Sequence, residues 1–91
     1  MKYKITDPKG LRLIEKEDGR WLLKFNGFLT QLNYSGAQFL NIAMEHNDVE
    51  SAVSAISLIF PEPPDIIRKH FVDFILKIEQ LGLCRIIKPG Q

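Results

Sequence analysis

Two dipeptides, Asp18-Gly19 and Asn26-Gly27, constrain the fold of this chain more than any other feature. Both accept the positive φ angles that tight two-residue hairpin turns require, and strand-like runs lie between and around them. The runs at 11–17, 20–25 and 28–33 therefore read as three strands, joined as an antiparallel meander with the second strand in the centre. Trp21, Leu23 and Phe25 alternate onto one face of that central strand. In the third strand Phe28, Thr30 and Leu32 share a face, and Leu29 and Gln31 take the other.

The remainder reads as three helices, so the expected class is α+β. Ser35 with Gln38 makes a capping box for the first helix, and Tyr34 and Phe39 stand where a hydrophobic staple forms. That helix should end near His46. Asn47 with Glu50 opens a second helix, whose Val49, Ala52, Val53, Ile56 and Phe60 keep helical spacing until Pro61 stops it. The third helix starts at Pro64-Asp65 and runs to Leu81, with Gly82 at its left-handed end and Leu83 turned back on Ile78. A short extended tail, 83–87, follows.

Ninety-one residues make one small domain, expected to span 1–91, and 45% apolar with 25% charged residues is the composition of a folded chain. Twelve basic and eleven acidic side chains leave +1, no general invitation to nucleic acid or an anionic membrane. The charge is unevenly placed: residues 1–24 carry +3, residues 25–63 hold four acids and no Lys or Arg, and residues 64–91 carry +2. The single cysteine, Cys84, has only His46 and His70 beside it as further zinc-type ligands, so neither a disulfide nor a four-ligand zinc set is expected. The polar start from Met1 to Gly10 lacks a signal h-region, and no apolar run approaches the ~18 residues of a membrane span. A cytoplasmic chain without cofactor is the expectation.

Catalysis finds little support. A nucleophile needs a base within hydrogen-bond reach, and Ser35 is already used as a cap. Cys84 lies among Leu83, Ile86 and Ile87, which suits an inert thiol. His46 ends a helix, His70 reads as a surface residue beside Lys69, and Glu15, Glu17 and Asp18 form a charged hairpin tip. No glycine-rich phosphate loop is present.

Binding is better supported, and the reason lies in the sheet edges. An edge strand exposes unpaired backbone donors and acceptors, which soluble proteins guard with charge. The first strand carries Arg12, Glu15, Lys16 and Glu17, whereas the third has no charged residue from Phe28 to Asn33. Either a terminal segment such as 83–87 covers that edge, or an extended peptide joins it as a further strand. On the third helix Ile67, Phe71, Phe74, Ile75, Ile78 and Leu81 form a core stripe about 120° wide. Val72 and Leu76 fall outside it as surplus apolar surface, with Arg68 and Lys69 as a cationic rim.

Three short strands, a helix opening Leu32-Asn33-Tyr34-Ser35-Gly36-Ala37, a second helix, and a third ending Ile78…Leu81-Gly82-Leu83 resemble the PqqD-like family over residues 11–87. These are winged helix-turn-helix peptide chaperones, also called RiPP recognition elements. Many relatives carry an Asp-Gly turn between the first two helices where this chain has His46-Asn47-Asp48. The resemblance implies a non-catalytic module of natural-product biosynthesis. Such a module binds the leader of a ribosomally made precursor peptide by strand addition and presents it to a separate maturation enzyme of radical SAM, ATP-dependent or protease type. Carried onto this chain, the peptide site is Phe28, Leu29, Thr30, Gln31 and Leu32 of the strand with Ile67, Arg68, Phe71, Val72, Ile75 and Leu76 of the helix.

A winged-helix DNA-binding protein is the alternative, but residues 64–82 balance Arg68, Lys69 and Lys77 against Asp65, Asp73 and Glu79. A homodimer paired through the open edge is the third reading.

Overall fold

The structure is a computed structural model describing residues 1–6 and 10–90. Asp7, Pro8 and Lys9, part of the polar stretch before Gly10, lie outside the described residues, as does Gln91. The elements run β1 (Lys2–Ile5), β2 (Arg12–Glu15), β3 (Trp21–Phe25), β4 (Phe28–Leu32), α1 (Tyr34–Glu45), α2 (Val49–Ile56), α3 (Pro64–Gln80) and β5 (Cys84–Ile87). The expected α+β class holds: an antiparallel sheet ordered β2-β3-β4 precedes three helices.

The second hairpin turns as the sequence predicts. Asn26 at φ 47° and Gly27 at φ 82° are both left-handed, as a two-residue turn requires. The first hairpin is one residue longer. Gly19 N–H donates to Lys16 C=O at 2.9 Å and Lys16 N–H to Arg20 C=O at 2.8 Å. Glu17, Asp18 and Gly19 thus form a three-residue loop with Gly19 at φ 86°. Asp18 then reaches Arg20 at 2.7 Å, which pins the longer tip.

The helix caps shift by one or two positions. Asn33, not Ser35, caps α1, its Oδ1 accepting from Gly36 N–H at 2.7 Å. Asn33 precedes Ser35 and captures a first-turn donor, so the helix starts at Tyr34 and the expected staple does not form. Tyr34 instead packs on Phe60, with ring centroids 6.0 Å apart. Asp48, not Asn47, caps α2. The α3 terminus matches its expectation in detail: Gly82 is at φ 82°, Leu83 N–H donates to Ile78 C=O, and Gly82 N–H to Glu79 C=O, both at 3.0 Å.

The larger departure is at the two ends of the chain. Residues 2–5, read as a polar lead-in, form β1, and β1 pairs antiparallel with β5 as a second sheet. The signal was present as alternation: Lys2 and Lys4 are exposed, while Tyr3 is fully buried and Ile5 half-buried. Tyr3 sets its ring 5.9 Å from that of Phe71, tilted by 59°, at the centre of a core built from Leu23, Phe25, Leu40, Val53, Ile56, Ile67, Ile75 and Leu83. Cys84 is buried in the same core, and that burial, with the Glu79 carboxylate second, pushes its thiol up to about 11. Such a thiol is neutral near pH 7 and a poor nucleophile. No helix among the described residues is long and apolar enough to cross a membrane.

The Tyr3 hydroxyl is buried without a hydrogen-bond partner among the described residues, and burial raises its pKa far above the usual phenol range. An unpartnered buried hydroxyl costs stability that its ring does not. Tyr3→Phe is therefore expected to match or exceed the parent in urea denaturation, while Tyr3→Ala loses about 3–5 kcal/mol. A strong loss in Tyr3→Phe would mean that the hydroxyl is satisfied.

Candidate functional site

Four strand edges can be compared, and their treatment differs. β1 is closed on its outer side, where Tyr3 N–H donates to Asn47 C=O at 3.0 Å and Val49 N–H to Met1 C=O at 2.9 Å. β5 is closed by a side chain, Glu79 Oε2 accepting from Ile86 N–H at 3.3 Å. β2 is an outer strand of its sheet but carries Arg12 and Glu15 at its ends. Among the described residues no strand or side chain pairs with the outer edge of β4, and the strand carries no charge. The terminal segment 83–87, one of the two expected covers, pairs with β1 instead.

Register shows which backbone groups β4 offers. Phe25 and Phe28 flank the two-residue turn and form the first pair of the ladder. A tight turn of this kind joins those two residues by hydrogen bonds, and antiparallel pairs alternate from there. Phe28, Thr30 and Leu32 thus spend their N–H and C=O on Phe25, Leu23 and Trp21. Leu29 and Gln31 point theirs away from the sheet. Among the described residues, two donors and two acceptors on this edge have no partner.

Next to that edge lies an open cavity of about 490 Å³, lined by Gln31, Leu32 and Asn33 of the β4–α1 junction, Gly36 and Phe39 of α1, and His70, Asp73, Phe74 and Lys77 of α3. Its floor is aromatic. Phe39 sits edge-on to Phe74 and to Phe71, each at 5.7 Å between centroids. Its rim is polar and mixed in sign, with His70 Nδ1 4.0 Å from Glu62 Oε2, a pair that is ionic only when the imidazole is protonated. Gly36 keeps the α1 side low: a Cβ there would stand 3.0 Å from the capping Asn33 Oδ1. Phe28 shares its sheet face with buried Leu23 and Phe25 yet is 67% exposed.

The eleven residues singled out from the sequence divide into three groups. Phe28, Leu29, Thr30, Gln31 and Leu32 form the edge itself, and Gln31 and Leu32 reach the cavity. Ile67, Phe71 and Ile75 are buried in the core, beneath the site rather than on it. Arg68, Val72 and Leu76 lie on the opposite flank of α3 from the cavity. Arg68 is turned to α2, where Nε and Nη2 each lie 2.8 Å from the Glu50 carboxylate, and it also holds Asp65 at 3.1 Å. Val72 is half-buried against the core, and Leu76 stays 42% exposed.

Sequence reasoning missed His70, Asp73, Phe74 and Lys77 as a set. Their i, i+3, i+4, i+7 spacing marks one flank of a helix, as that of Arg68, Val72 and Leu76 marks the other. Both flanks adjoin the core stripe, and only the position of β4 distinguishes them. Surplus apolar surface favoured the wrong flank as a neighbour of β4, since the flank that does line the cavity has one aromatic among three polar residues. Phe74, expected in mid-core, is half-buried and lines the groove.

No protein-family model matches the sequence, and no curated protein matches it significantly. Among solved structures, the chain is similar to one described as TbiB1 in complex with the TbiA(beta) leader peptide. The superposition gives a TM-score of 0.70 at 19% identity and covers 97% of this chain and 96% of that one. The two share a fold, and the likeness includes nearly all of the described chain, not residues 11–87 alone.

The register generates a prediction about folding. Proline at position 29 or 31 removes an outward N–H that the chain does not use, whereas Thr30→Pro removes a ladder bond to Leu23. Leu29→Pro and Gln31→Pro should therefore melt well above Thr30→Pro. The reverse order in thermal unfolding by circular dichroism would place the ladder bonds at the other residues.

Proposed function

We propose that this chain is a peptide-binding module for the leader segment of a ribosomally synthesised precursor, a RiPP recognition element of the PqqD-like type. The observation that carries this reading is the unguarded β4 edge, with free backbone groups at Leu29 and Gln31, beside the aromatic-floored cavity. Main-chain bonds to an added strand supply affinity without sequence information, and a pocket beside the strand supplies the selectivity. An antiparallel or parallel extended segment meets both here. Its backbone joins Leu29 and Gln31, and alternate side chains fall toward Phe39 and Phe74, between His70, Asp73 and Lys77. The fold likeness to a chain solved with a leader peptide supports the same reading.

In this proposal the chain does no chemistry of its own and hands the bound precursor to a separate modifying enzyme. The site contains no nucleophile paired with a base, and Cys84 is held neutral inside the core. Among the described residues no group of three His, Cys, Asp or Glu side chains could hold a metal. The DNA-binding alternative has no comparable support. Arg68 is occupied by Glu50 and Asp65, and Lys69 and Lys77 share α3 with Asp73 and Glu79.

Calorimetry with the leader segment of a candidate ribosomal precursor peptide tests the reading. Gln31→Pro should abolish binding while remaining folded. Phe74→Ala should weaken it by on the order of tenfold or more, as loss of an apolar contact of ~1.5–3 kcal/mol implies. Leu76→Ser, on the far flank, should bind as the parent does. Unchanged binding by folded Gln31→Pro removes strand addition at β4.

A further inference from the structure

The free edge of β4 is complementary to itself. An antiparallel strand can join it only where outward-pointing residues oppose one another. A register centred on Thr30 sets Leu29 of one copy against Gln31 of the other and Phe28 against Leu32. It keeps all five residues of β4 opposite β4, and both outward residues of each copy exchange their bonds. Registers centred on Leu29 or Gln31 run one strand into the Gly27 turn or the Asn33 cap. We propose that a second copy of this chain pairs with β4 in the register centred on Thr30, joining the two three-stranded sheets across a two-fold axis.

Electrostatics favours this occupant. A two-fold axis sets each residue of the strand close to the same short segment of its own copy, so a charge on it would meet its like. Residues 25–33 contain none. The side chains fit as well. Phe28 is 67% exposed on the sheet face that belongs to the core, and Leu32 lines the cavity with Phe39 and Phe74. In the Thr30 register each copy's Phe28 ring falls beside the other's Leu32, at the mouth of that cavity. The contact thereby covers the exposed ring and the groove together. It stands independently of the peptide reading; where both hold, an incoming peptide must displace the second copy, because the two use the same backbone groups.

Sedimentation equilibrium of the full chain up to about 1 mM, the weak end of specific affinity, is paired with cysteine cross-linking. Opposed residues at the centre of the register are a pair without mutual hydrogen bonds, Cα atoms ~4.5 Å apart, within the range a disulfide bridges. Thr30→Cys should form a disulfide-linked dimer in a glutathione redox buffer, with Arg12→Cys on the charged β2 edge as the control that does not. Thr30→Lys, which opposes two cations across the axis, should raise the dimer dissociation constant tenfold or more. A parent chain that stays monomeric up to about 1 mM overturns the proposal. A dimer that survives folded Thr30→Lys, or that links no faster through position 30 than through position 12, overturns it too. Leader binding measured at dilute protein is read separately, so failure of one proposal does not imitate failure of the other.

Discussion

The site depends on the Asn26–Gly27 turn. Both residues are left-handed, a conformation that an Asn-Gly pair adopts at low cost and most other pairs do not. Two residues in the loop set Phe25 opposite Phe28, and that pairing decides the rest of the ladder. A slip of one residue would turn Leu29 and Gln31 toward β3 and carry Phe28, Thr30 and Leu32 to the outer face. The free backbone groups on the edge, the position of Leu32 at the cavity and the exposure of Phe28 all follow from one tight turn.

The rest of the molecule holds that edge beside α3. Tyr3, from the first strand, packs on Phe71, and the Gly82 turn sends β5 back to pair with β1. This second sheet takes up the segment 84–87 and so leaves it unable to pair with β4. Its own edges take hydrogen bonds from or to Asn47, Val49 and Glu79, whereas among the described residues β4 has no such partner and β2 is guarded by charge. Burying large apolar side chains on α3 at Ile67, Phe71, Ile75 and Ile78 fixes which flank of that helix meets the groove.

Much of the fold was legible because the signals are local. Turn dipeptides, period-two alternation in β3 and β4, the proline start of α3 and its glycine stop each act within a few residues. The caps of α1 and α2 were displaced because Asn33 and Asp48 compete with nearby Ser35 and Asn47 for the same first-turn donors, and local pattern does not rank them. β1 was missed because four residues with two lysines carry a weak strand signal, and their partner lies some eighty residues away. The open edge at residues 28–32 was found from its lack of charge. The helix flank facing it was not, since that depends on how α3 crosses the sheet, a tertiary relation absent from the spacing of Arg68, Val72 and Leu76.

The central claim is that Leu29 and Gln31 carry unused backbone hydrogen bonds that a peptide strand takes up. Amide hydrogen exchange followed by NMR reads this directly, residue by residue. In the free chain at dilute concentration, Thr30 and Leu32 should exchange slowly, and Leu29 and Gln31 fast. Addition of the leader peptide should slow Leu29 and Gln31 and leave Thr30 and Leu32 almost as they were. Protection of Leu29 and Gln31 in the free monomer, or no gain of protection when the peptide is bound, would contradict the account.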